Sequence, residues 1–245
     1  MTIGSRHERL FDIADSACWL RCTVGSSGGA ETEETDCDHV NVMIKATSAA
    51  DLEPASRHEA LLFDWDGTLA DSQSVNFQVL RAALEPTGVV LEQPWFDART
   101  GMSTREMVAL LAAAQDVMVD TEVVAGRRDT AYLQRAHEVG EIEAVTSVLR
   151  RHRSHQKIAL ATGGARQTVT ATAVALRLFD FFDVVVTRED VERGKPAPDL
   201  FLLAAERLGV AAGRCLVYED SDEGLAAAAD AGMDAIDVRP LRLLS

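Results

Sequence analysis

The chain reads as an α/β protein, a doubly wound parallel sheet carrying a helical insertion, and three observations support this. From residue 143 onward, short apolar runs alternate with helical patterns, the rhythm of βαβ units. A further apolar run, Leu61-Leu62-Phe63, leads into Asp64 and Asp66 and then a turn at Gly67. That is how a strand buried on both faces reaches the carboxyl edge of an open sheet, where such sheets place their ligands. Between these regions lie about seventy residues with helical spacing and no strand-like run bounded by turns.

Composition narrows the possible functions. At 245 residues, 47% of them hydrophobic, the chain suits one large domain or one domain with an insertion. Its 39 acidic and 24 basic residues give a net charge of −15, which repels phosphate backbones and argues against nucleic-acid binding. For the same reason a phosphorylated substrate needs a bound cation and a few local basic groups. No apolar run approaches the roughly 18 residues of a membrane span. Met1–Arg21 carries Glu8, Asp12 and Asp15 through its only apolar patch, unlike a signal peptide. Cys18, Cys22, Cys37 and Cys215 form no secreted framework, so the expected compartment is the cytoplasm.

In chain order, residues 1–57 read as a poorly ordered N-terminal extension. Gly25–Gly29 is Gly/Ser-rich, and Glu31, Glu33, Glu34, Asp36 and Asp38 follow, so too little apolar surface is available to offset ordering entropy. Cys18, Cys22, Cys37 and His39 match no common zinc spacing. Residues 58–72 and 143–245 form the expected core, and 73–142 the insertion. Within the insertion, Val75, Val79, Leu80, Ala83 and Leu84 give Ser74–Leu84 one apolar helical face, ended by Pro86 and Gly88. Ser103 caps a helix to Ala114, and Thr121–Val139 is a further helical stretch.

The second half of the core follows the same logic. Ala144–Arg151 is helical, and Lys157–Ala161 is a buried strand ending at Thr162-Gly163-Gly164. Gln167–Leu178 is helical, and Phe182–Thr187 is a β-branched strand. Pro198 opens a helix to Leu208, and Cys215–Tyr218 is a strand ending at Glu219-Asp220. Glu223–Ala231 is a helix stopped by Gly232, and Ala235–Val238 is the last strand.

Polar residues therefore gather at the strand ends: Asp64 and Asp66, Thr162 beside a glycine pair, Lys195 in a loop, and Glu219 with Asp220. Each has a plainer reading alone. Asp64 and Asp66 also suit a cap and a turn, Thr162 an N-cap, Lys195 the surface, and Glu219-Asp220 a solvated turn. Together they supply what phosphoryl transfer needs: a nucleophile, anion-binding donors, and acids able to hold a hard cation.

The stretches Asp64-Trp65-Asp66-Gly67-Thr68-Leu69, Thr162, Lys195-Pro196-Ala197-Pro198-Asp199 and Tyr218-Glu219-Asp220-Ser221 resemble the four motifs of the haloacid dehalogenase-like hydrolase superfamily. The C-terminal part is similar to its β-phosphoglucomutase and fructose-1-phosphatase-like sugar phosphatase subgroup. The resemblance implies a Rossmann-like catalytic core with the insertion as an α-helical cap. It implies Asp64 as nucleophile, Asp66 as general acid/base, and Thr162 and Lys195 on the phosphoryl group. It also implies Mg²⁺ held by Asp64, Asp66 and Asp220, with Glu219 beside them.

The resulting expectation is a Mg²⁺-dependent phosphatase of a small phosphorylated metabolite, a sugar phosphate, working as a monomer or weak dimer. The alternatives are a β-phosphoglucomutase-like isomerase, a phosphoglycolate-type phosphatase, and a non-catalytic binding protein. Thr162, Gly163, Lys195, Arg105 and Arg166 are the expected substrate contacts, with Arg99 and Thr104 near Arg105. One departure matters: related mutases carry a histidine twelve residues after the nucleophile, where this chain has Asn76. An amide cannot shuttle a proton, so hydrolysis is favoured over mutation. Asn76 also fits a plain surface position.

Overall fold

Four consecutive buried residues, Ala60–Phe63, form the central strand of the sheet, and their alternation sets the two layers around it. The computed structural model describes residues 41–99 and 101–243. Its main sheet is wholly parallel and contains β1 (Met43–Lys45), β2 (Ala60–Phe63), β5 (Lys157–Ala161), β6 (Val184–Val186), β7 (Cys215–Glu219) and β8 (Asp234–Asp237). The strand order is β1-β8-β7-β2-β5-β6. Leu61 and Phe63 face one apolar cluster, shared with α5 (Glu143–His152) and α6 (Arg166–Ala175). Ala60 and Leu62 face the other, shared with α7 (Asp199–Leu208) and α8 (Asp222–Asp230). Period-two side-chain alternation on a strand covered on both faces dictates this division.

The insertion has a core of its own. It comprises α1 (Gln73–Leu84), α2 (Gln93–Asp97), α3 (Thr104–Ala114) and α4 (Thr121–Arg135), closed by a 3-10 turn over 136–138. Phe77, Leu80, Leu84, Phe96, Met107, Val108, Leu111 and Val124 make its apolar centre. Ser103 accepts from the Glu106 N–H and Asp120 from those of Glu122 and Val123, so α3 and α4 begin on side-chain caps. Both junctions with the core meet in a two-stranded antiparallel ribbon, β3 (Ala70–Asp71) against β4 (Gly140–Glu141). Among the described residues, no helix is long and apolar enough to cross a membrane.

The expected N-terminal extension needs correction over residues 41–57. Met43–Lys45 pairs with Ala235–Asp237 at the edge of the main sheet, and the Tyr218 hydroxyl donates to the Leu52 carbonyl at 2.7 Å. An edge strand of three residues, none of them fully buried, leaves no apolar run to detect. Cys18, Cys22, Cys37 and His39 lie outside the described residues, whereas Cys215 is buried.

Asp234 fastens this first segment. Its buried carboxylate accepts from the Val42 N–H at 2.7 Å, from His58 Nε2 at 2.8 Å and from the Arg57 guanidinium. His58 Nδ1 accepts from the Ala55 N–H, which leaves the proton on Nε2. Burial alone raises the Asp234 pKa, but these donors outweigh it and hold the carboxyl at about 2.

Asp234→Ala strips three donors of a buried acceptor and should cost roughly 2–4 kcal/mol at neutral pH. The folded pKa lies below the unfolded value of about 3.9, so the ionised form stabilises the fold above that value. The contribution is lost as pH falls through about 2. Urea titrations of parent and variant should therefore show a gap that is full near neutrality and narrows below about pH 4.

Candidate active site

β2 lies between β5 and β7, with Phe63 opposite Leu160 and Tyr218. The Asp64 N–H continues that ladder onto the Tyr218 carbonyl at 3.0 Å, which brings Asp64 beside Glu219 and Asp220. Lys195, from the loop before α7, is 2% exposed and donates to Asp64 Oδ1 at 2.5 Å and Glu219 Oε2 at 2.7 Å. The other Glu219 oxygen accepts from the Asp220 N–H, the Ser221 N–H and the Ser221 hydroxyl at 2.7–3.1 Å. Gly224 makes room for it, since a Cβ there would lie 2.0 Å from the Glu219 carboxyl carbon.

Negative charge is in excess in this cluster. One oxygen each from Asp64, Glu219 and Asp220 lie within 4.8 Å of one another, all three residues are buried, and Lys195 supplies one positive charge. Burial first, and Glu219 second, push the Asp64 carboxyl up against the pull of Lys195. Burial opposes the Lys195 ammonium, yet Asp64 and Glu219 together hold its pKa above the usual lysine range. A buried, all-oxygen donor set with surplus negative charge fits a hard divalent cation.

Asp66 faces different partners. A turn at Gly67, whose φ of +86° suits glycine, carries the chain from Asp66 back to Ala70. Asp66 Oδ1 accepts from the Ser72 hydroxyl and, at 2.9 Å, from the Asn76 amide. Asn76 in turn accepts from Arg128, which pairs with Asp129 at 2.8 Å and lies 4.7 Å over the Tyr132 ring. Asn76 is 8% exposed, so the surface reading fails. Sequence reading missed Ser72, Arg128 and Tyr132. The available signal was an arginine four residues before an aromatic on one helix face.

Thr162 is buried and accepts from the Gly164 N–H at 3.0 Å; α6 has Ala165 as its N-cap, so Thr162 does not cap it. The Gly164 N–H is therefore engaged within the loop. A Cβ on Gly164 would reach 2.8 Å from Val169 and 3.4 Å from Asp66 Oδ2. Gly101, in the loop before α3, brings the insertion against the core: its carbonyl lies against Gly163, and its own Cβ would lie 2.9 Å from Ser221 Oγ.

A cavity of about 440 Å³ lies between the sheet edge and the helices, lined by Asp64, Asp66, Thr162 and Gly163 on the core side. Arg105 and Thr104 also line it, but Arg105 is held in a two-bond pair with Glu122 at 2.6 and 2.8 Å. Arg99 stacks 4.1 Å over Trp95 and donates to its carbonyl. Arg166 is a correction. It lines a separate shallow hollow, its N–H donates to Glu189, and its guanidinium pairs with Asp190. Proximity to the glycine pair in sequence did not fix its direction, because acids on the next loop capture it.

Residues 58–232 match the family model described as haloacid dehalogenase-like hydrolase, and the chain belongs to that family of hydrolases. It is 32% identical over 185 residues to the fructose-1-phosphate phosphatase YqaB of Escherichia coli, covering 76% of this chain and 98% of that one. It is 30% identical to a phosphorylated carbohydrates phosphatase of Thermotoga maritima, over 73% of this chain and 83% of the relative. The crystal structure of β-phosphoglucomutase from Clostridium difficile superposes with a TM-score of 0.67 at 22% identity, over 76% and 87% of the two chains. At that identity the likeness is one of fold.

Lys195→Met leaves Asp64 and Glu219 buried without their shared cation and is expected to cost roughly 3–5 kcal/mol in urea unfolding. Adding Asp64→Asn should restore part of that loss, giving a non-additive double-mutant cycle. Additive losses would mean that the two side chains are not coupled.

Proposed function

We propose that this hydrolase is a Mg²⁺-dependent phosphatase of small phosphorylated metabolites, sugar phosphates above all, acting through an aspartyl-phosphate. The observation that carries the reading is the contrast between two carboxylates two residues apart on one cavity. Asp64 is clamped by a buried lysine, while Asp66 is held by a hydroxyl and an amide.

In this reading Asp64 Oδ attacks phosphorus in line, and the bond from phosphorus to the sugar oxygen breaks. Asp66 gives its proton to that oxygen as it leaves. In the second step Asp66 takes a proton from a water molecule that attacks the phosphorus, releasing phosphate and restoring Asp64. The Thr162 hydroxyl and the Lys195 ammonium hold the phosphoryl oxygens, with the Gly163 main chain beside them.

Asp64, Asp220 and the Asp66 carbonyl would hold Mg²⁺. Glu219, expected beside the ligands, is the partner that fixes Lys195, since both its oxygens are engaged. The ion supplies neutralising charge for the phosphoryl oxygens and favours ionised Asp64. Residues 73–142 act as a cap, and the β3–β4 ribbon is its pivot. Closure presses the Gly101 loop onto Gly163 and Ser221 and excludes bulk water.

Hydrolysis is preferred to mutation because Asn76, not a titratable group, contacts Asp66. A phosphate-release screen over sugar phosphates and phosphoglycolate with Mg²⁺ tests the reading, and chelation by EDTA should abolish release until Mg²⁺ is restored. Glucose 1-phosphate should yield free phosphate; accumulation of glucose 6-phosphate would support the isomerase instead. Asp64→Asn should lower kcat at least about a thousandfold with an unchanged far-UV CD spectrum. Near-normal turnover would remove Asp64 as the nucleophile.

A further inference from the structure

We infer that the helical side of this cavity accepts a neutral, hydroxyl-bearing group and rejects a second anion, and that Asp129 sets this preference. The inference rests on the phosphatase reading and concerns the part of the substrate away from the reacting phosphate. Among the described residues three arginines line the cavity, namely Arg105, Arg128 and Arg188. Each is already committed. Arg105 is matched in two bonds by Glu122. Arg188 donates to the main-chain carbonyls of Val191 and Glu192 at 2.8 and 3.2 Å. Arg128 is fixed on three sides, by Asp129, by the Asn76 carbonyl oxygen and by the Tyr132 ring.

Hydrogen-bond polarity then decides what fits. A phosphate or carboxylate offers acceptors alone, and Asp129, itself lining the cavity, is acceptor-only as well. A second anion reaching Arg128 therefore meets the Asp129 charge, either beside it or displaced from its partner, and like charges at close range are costly. A hydroxyl both donates and accepts, so it can give its proton to Asp129 while accepting from a remaining N–H of Arg128. Gln73 and Asn76, whose amides also line the cavity, add side chains able to donate and to accept. Exclusion of a second phosphate also disfavours a mutase cycle, which moves phosphate between positions through a bisphosphate.

Steady-state kinetics with fructose 1-phosphate and fructose 1,6-bisphosphate, both with Mg²⁺, test the inference. The parent should favour the monophosphate in kcat/KM by at least about tenfold. Asp129→Asn should shrink that ratio by about tenfold, whereas Asp129→Glu should retain it. Equal kcat/KM for the two substrates in the parent overturns the inference. An unchanged ratio in an Asp129→Asn variant with a parental melting profile removes Asp129 as its cause, and Asp129→Ser provides the same readout if the asparagine variant does not fold. Failure of the underlying reading looks different: no monophosphate in any panel would then release phosphate.

Discussion

The burial of Lys195 between Asp64 and Glu219 is the constraint on which the rest of the structure depends. An ammonium 2% exposed is tolerable only because two carboxylates meet it at 2.5 and 2.7 Å, and those carboxylates are tolerable only because of it. The pairing requires β7 next to β2, since only that neighbour places Glu219 beside Asp64. It also requires a glycine at 224 and donors from Asp220 and Ser221, without which the second Glu219 oxygen would be a buried unpaired charge. Strand order, helix start and loop composition are thus all tied to this one buried lysine and its two carboxylates.

Asp66 escapes that constraint. The Gly67 turn points it towards α1, where its partners are a hydroxyl and an amide. Two acids two residues apart on the chain consequently sit in opposite environments, one crowded by formal charge and one cushioned by neutral dipoles. Separating environments is how a protein gives like groups unlike tasks. The proposed division of labour, attack by Asp64 and proton transfer by Asp66, needs that separation.

The parts legible in the sequence are those where one local signal suffices. β2, β5 and β7 are buried runs ending at turns, and Asp64, Asp66, Thr162, Glu219 and Asp220 are placed by those ends. Lys195 was readable because its loop resembled a known motif. β1 was not, because an edge strand of three half-solvated residues owes its pairing to Asp234, far away in sequence. The Asn76–Arg128 contact joins residues 52 positions apart on two helices, and no periodicity in either helix announces it. Arg166 misled for the converse reason. Its neighbours in sequence lie at the site, but its charge is captured by Asp190.

The net charge of −15 shows why such capture recurs. Acidic residues outnumber basic ones, so an arginine near the site tends to find a carboxylate before any ligand arrives, as Arg105, Arg128 and Arg166 have done. In the proposed reading, compensation of this kind leaves the floor, with Lys195, Thr162 and the acids able to hold a cation, as the pole for a phosphoryl group. On that reading a substrate carrying one phosphate sits with its charge at the sheet edge and its hydroxyls under the helices. The inferred specificity follows from where positive charge has been withheld: cations already paired at the helical wall leave the reacting end as the place for an anion.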